Sequence, residues 1–117
     1  MKESEFYTLV TLLQTAPQTT NVARIGLCRV WTKEAIEVAK KFRTDTQIAF
    51  KMEAREVDFD LCFSHTFLRI LTEELNYLCD GVGTATYKPF FGREADAPHL
   101  SPSFIDPIQY YDLKDES

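Results

Sequence analysis

Between Leu27 and Asp80 the chain has neither glycine nor proline, and four of its five prolines fall within residues 89–107. Glycine and proline are the strongest local interrupters of regular structure. Their absence excludes a loop-rich middle, and their later clustering marks residues 84–117 as irregular. Long apolar runs are missing too, so no segment reaches the roughly 20 residues a membrane-spanning helix needs. Cysteine is scarce and odd in number (Cys28, Cys62, Cys79), which argues against a disulfide-stapled secreted scaffold and for reduced thiols used as small core residues. Met1 to Glu5 is polar and acidic with no apolar signal core behind it, so the expected location is the cytoplasm.

Positive charge is in deficit overall. The net charge is −5, split into +3 over residues 1–44 and −8 over residues 45–117. The dominant field repels phosphates, which disfavours nucleic acid as a partner. Against these absences stand 44% hydrophobic and 13% aromatic residues in 117, enough for one core and one domain. Residues 1–83 read as its body and residues 84–117 as a tail of the same domain.

The body reads as helical. Phe6, Leu9, Val10 and Leu13 share one face behind a capping Ser4. Val22, Ile25, Cys28, Trp31, Ala35, Val38 and Phe42 recur at three- and four-residue steps, predicting one helix to about Arg43, with Trp31 in the core. Thr44 and Gln47 have capping-box spacing and predict a new helix start. Residues 50–61 are ambiguous. Phe50, Ala54, Val57 and Leu61 keep helical spacing, yet Val57-Asp58-Phe59-Asp60-Leu61 alternates like a strand. A hairpin turning at Ala54-Arg55-Glu56 would lack every usual turn residue, so a helix over about 45–62 is expected. Leu68, Leu71, Leu75 and Leu78 predict a further buried helical stripe closed by Gly81. The expected fold is therefore mainly α: a small antiparallel helical bundle with an extended Pro/aromatic-rich C-terminal tail packed on it. The alternative is α+β, with strands near 23–31, 47–53 and 56–63.

No chemical motif stands out. Cys62 and His65 have C-x-x-H spacing, but the further zinc ligands (Cys28, Cys79, His99) are remote, and no metal site is assigned. A thiol triad of Cys62 and His65 with Asp58 or Asp60 can be assembled on paper, but residues three apart on one helix lack attack geometry. Glu53, Glu56, Asp58 and Asp60 form an acidic cluster that reads as a solvated face. Gly81-Val82-Gly83 lacks the residues of a phosphate loop. No catalytic residue and no cofactor is assigned.

The expectation from these readings is a non-enzymatic protein-interaction module, an acidic inhibitor or regulator. Its docking segment would be Asp106, Ile108, Tyr110, Tyr111, Asp112 and Leu113 in the acidic, aromatic tail. The partner would be another protein or a second copy of the chain, not a membrane. The alternative is a small-molecule binder or small enzyme with a pocket between body and tail, using His65 or His99. A deep pocket containing a histidine or cysteine with a displaced pKa would favour the alternative, and a flat, exposed patch of aromatics rimmed by Asp/Glu would favour the docking reading.

Overall fold

The computed structural model describes residues 1–15, 27–60, 63–83, 88–97 and 100, with backbone alone for 27, 58–60, 63 and 64. Two helices come first, α1 (Glu3–Thr15) and α2 (Leu27–Thr46). Four strands follow: β1 (Lys51–Asp60), β2 (Phe63–Leu71), β3 (Asn76–Asp80) and β4 (Phe90–Arg93). A single 3-10 turn covers Glu94–Asp96. The strands form one antiparallel sheet in chain order, β1-β2-β3-β4. The fold is α+β, and the expected helical bundle is wrong.

The first third of the chain follows its periodicity. Phe6, Leu9, Val10 and Leu13 are the buried face of α1. Trp31, Ala35, Ile36, Ala39 and Phe42 bury the inner face of α2. The same core takes Met52, Ala54, Leu68, Ile70, Tyr77 and Cys79 from the sheet, with Phe6 stacked on Tyr77 at 4.0 Å between ring centroids. α2 is helical where the α+β alternative put a strand near 23–31; residues 16–26 lie outside the described residues.

The bundle expectation fails after Arg43. Thr44 and Gln47 end a helix instead of starting one. Gln47 has φ 60° and donates its N–H to the Arg43 carbonyl at 2.9 Å, while the Thr46 hydroxyl turns back to the Phe42 carbonyl at 2.7 Å. The chain then enters β1, which runs straight through Ala54-Arg55-Glu56. Those residues lack turn chemistry because no turn occurs there. Asp60 pairs with Phe63, so the reversal lies between them. The α+β alternative had the right class, but its strands at 47–53 and 56–63 both fall on β1, and it missed β2, β3 and β4.

The leucine stripe is also dismantled. Leu68 and Leu78 are fully buried, on opposite faces of the sheet: Leu68 toward the helices, Leu78 with Val57, Phe67, Ala97 and Leu100. Leu71 is half-buried and Leu75 exposed. Between β2 and β3, Thr72 and Leu75 are joined by reciprocal hydrogen bonds that close a turn. A three- and four-residue spacing has here been produced by two strands and a tight turn.

Phe90 and Phe91 belong to β4 and lean on opposite sides of the sheet, Phe91 toward the helices and Phe90 toward the second cluster. Leu100 is wholly buried under that second face. There Arg69 bridges Glu53, at 2.8 Å, and Glu94, at 2.9 Å. Of the acidic run at 53–60, Glu53 is neutralised by Arg55 and Arg69.

Candidate active site

One polar cluster sits deep in the protein, and three elements build it. His65 is on β2, Asp80 ends β3, and Cys28 lies in the first described turn of α2. His65 Nε2 lies 2.7 Å from Asp80 Oδ2, with both side chains almost completely buried. The Cys28 sulfur accepts the backbone N–H of Thr66, the residue after His65, at 3.5 Å, and lies close enough to the imidazole for the two groups to shift each other's pKa. Nε2 faces the carboxylate. The carboxylate accepts, so the proton on that side belongs to Nε2.

The acid is held from behind. Asp80 Oδ1 accepts the backbone N–H groups of Val82 at 3.2 Å and Gly83 at 3.0 Å. Gly83 has φ 71°, a left-handed conformation that glycine adopts without strain and that lets its N–H turn back. Both carboxylate oxygens are therefore committed, one to the ring and one to the turn. His65 pairs with Val57 across β1 and lies beside the Phe67 ring. Asp80 pairs with Phe90 across β4. The surroundings are apolar, which strengthens each electrostatic contact within the trio.

Burial alone pushes the His65 pKa down, but the hydrogen bonds and charges of Asp80 and Cys28 outweigh it and raise it to about 9. Burial pushes the Cys28 thiol up, and the His65 hydrogen bond, the Thr66 N–H at 3.5 Å and the imidazolium charge pull it below its ordinary value. The two shifts share one cause: each group favours the charged form of the other, beside a carboxylate fixed by the turn. Such a pair supplies a nucleophile, a proton donor and an orienting acid.

The placement revises the sequence reading in particulars. His65 is buried between β2 and β3 and not in a pocket between body and tail, where the alternative put it. Its sulfur partner among the described residues is Cys28, which the sequence reading used as core and as a remote zinc ligand. Asp80 was missed; its signal was an acid immediately before Gly81-Val82-Gly83, a turn able to aim N–H groups backwards. Cys62, His99, and the docking segment Asp106, Ile108, Tyr110, Tyr111, Asp112 and Leu113 lie outside the described residues, and the side chains of Asp58 and Asp60 are not described. Among the described residues no group of His, Cys, Asp and Glu could hold a metal ion, and no helix is long and apolar enough to cross a membrane.

An open cleft of about 740 Å³ lies elsewhere, lined by Arg43, Gln47, Ile48, Phe50, Leu71 and Glu73 among others. Arg43 is 15 residues from Cys28 along α2, about 22 Å at ~1.5 Å per residue, so the cleft and the trio are separate features. Comparison with protein-family models, curated proteins and solved structures gives no match.

Proposed function

We propose that the chain is a thiol-dependent acyl-transfer enzyme, with Cys28 as nucleophile, His65 as acid–base and Asp80 as the group that orients His65. The observation that carries this reading is the buried His65–Asp80 contact at 2.7 Å, its carboxylate doubly fixed by backbone N–H groups, with the Cys28 thiol beside the imidazole. A purely structural role asks less: a buried thiol packs without a charged partner, and breaking even with a buried ion pair requires unusually complete satisfaction.

The chemistry follows from the proton positions. The Cys28 sulfur attacks the carbonyl carbon of an ester, thioester or amide, forming a C–S bond. As the carbonyl re-forms, the leaving group departs with the proton from His65. An acyl-thioester on Cys28 and a neutral imidazole remain. His65 then takes a proton from water or an amine, whose oxygen or nitrogen attacks the thioester. Cys28 leaves as thiolate and the imidazolium is restored. Asp80 keeps the ring in the productive orientation.

An activated acyl ester tests this. Incubation with p-nitrophenyl acetate should give an initial burst and an acetyl group on Cys28 by peptide mass spectrometry. Cys28→Ala should abolish the adduct, and His65→Gln should slow its formation at least tenfold. Ester cleavage at the rate of free thiol, with no adduct on Cys28, would mean that the trio is a structural network. The protein-interaction reading through residues 106–113 would then lead.

A further inference from the structure

The three site residues come from three elements, so their register depends on how α2 is docked against the end of β3. One contact serves that purpose. Trp31 follows Cys28 by three positions on α2, and its indole edge lies directly on Gly81, the residue after Asp80. A methyl group at Gly81 would overlap Cε2, Cζ2 and Nε1 of Trp31. The ring is 2% exposed. It is backed from β4 by Phe91, edge to face with centroids 6.0 Å apart. Its Nε1–H finds no acceptor among the described residues, so the indole meets the turn by shape and not by a hydrogen bond.

Gly81 sits inside the turn that fixes the acid, between Asp80 and the two N–H donors of Val82 and Gly83. A ring seated on Gly81 sets the height of that turn above α2. The same helix carries the nucleophile. Resting on the triad reading above, we propose that Trp31 is a positioning residue: its contact with Gly81 sets the distance between the Cys28 helix and the Asp80 turn, and so holds His65 between them. Groups oriented through a neighbouring shell commonly lose 10–100-fold in function when that shell is removed.

The charged and titratable groups facing the trio are few. Asp80 comes from β3 and Cys28 from α2, with Cys79 next to Asp80 in the chain and carrying a thiol that burial, and then the Asp80 charge, push up. No Lys, Arg or Glu is among the groups that shift His65 or Cys28. A change in the Cys28 titration on altering Trp31 therefore reports geometry, not the loss of a neighbouring charge.

The experiment compares Trp31→Phe, Trp31→Leu, Gly81→Ala and the pair Trp31→Leu/Gly81→Ala with the unaltered chain. Each is read by the pH profile of iodoacetamide alkylation at Cys28, resolved by peptide mapping, alongside circular dichroism. Trp31→Phe should keep the profile within about threefold, because a ring still seats on Gly81. Trp31→Leu should fold, move the Cys28 midpoint toward that of an ordinary thiol, and lower its neutral-pH rate about tenfold or more. Gly81→Ala should do the same or fail to fold. The pair, in which the methyl occupies space left by the indole, should fold and recover part of the loss. A folded Trp31→Leu protein with an unchanged profile overturns the positioning role while leaving the triad intact. An ordinary Cys28 profile in the unaltered chain overturns both.

Discussion

Two buried cysteines share one hydrophobic core and behave as opposites. Cys28 and Cys79 are both free thiols in the cluster between the helices and the sheet. Burial raises the pKa of each. At Cys79 nothing answers it, and the adjacent Asp80 charge adds to it, so the thiol is held well above its usual range. At Cys28 the burial cost is overcome by His65 and the Thr66 N–H, and the thiol falls below its usual range. The same carboxylate acts in both directions. Met directly, Asp80 suppresses a thiolate; relayed through an imidazolium, it supports one. Burial alone therefore does not sort a structural cysteine from a reactive one. The groups within hydrogen-bonding reach decide it.

Removing the shared carboxylate should break the contrast most severely. Asp80→Ala removes the carboxylate that faces His65 and frees the N–H groups of Val82 and Gly83. We expect a loss of about 3–5 kcal/mol in urea unfolding, with the Cys28 titration moving up and the Cys79 titration moving down. Stability lost without any change at Cys28 would show that Asp80 does not act through His65.

Acidity sharpens the contrast next. His65 is raised from an ordinary 6.5 to about 9 in the folded chain. Its stabilisation is therefore fully present below about pH 6.5 and is lost as pH rises through about 9. From the usual cost of a pKa unit, His65 alone accounts for about 3 kcal/mol across that window. Cys28, being depressed, works in the opposite sense, so the net fall is smaller. The stability difference between the unaltered chain and His65→Gln, followed by urea titration from pH 5.5 to 10, should be greatest at low pH and shrink through pH 9. A difference that is flat or grows with pH would refute the imidazolium assignment.

The smallest effects come from the thiols themselves. Cys79→Ser puts a hydroxyl in an apolar site with no partner described for it and should cost about 1–3 kcal/mol. Cys28→Ser keeps the hydrogen bonds to His65 and Thr66 within reach and should cost less than about 1 kcal/mol. Thermal melts of the two variants side by side decide this, and equal losses would erase the distinction between the two surroundings.

The legible part of this fold was the part with a single periodicity. Phe6, Leu9, Val10 and Leu13 could be placed on one buried face because a soluble helix leaves that spacing no other use. The strands were harder to read because their residues satisfied two patterns at once. Phe50, Ala54 and Val57 fit a helix, while Met52, Ala54 and Val57, Asp58 and Phe59 also suit a strand whose two faces are both covered. The leucines from 68 to 78 spell a helical stripe across what is in fact a strand, a turn and a strand. Local periodicity carries no information about pairing partners, and β1 is held by residues 63–71 across a reversal that no glycine or proline announces. The trio was legible only in its pieces. His65 could be singled out as one of two histidines. Its thiol lies 37 residues before it and its acid 15 after it. Only the sheet register and the docking of α2 bring them together.

The most direct measurement is site-resolved alkylation of the native chain across pH, reading Cys28 and Cys79 as separate peptides in one sample. Cys28 should react with a midpoint below that of an ordinary thiol, and at neutral pH at least tenfold faster than Cys79, which should stay protected until the protein unfolds. If instead Cys28 reacts no faster than Cys79, or titrates at or above the ordinary thiol range, the imidazolium–thiolate pair does not exist and the proposed chemistry goes with it.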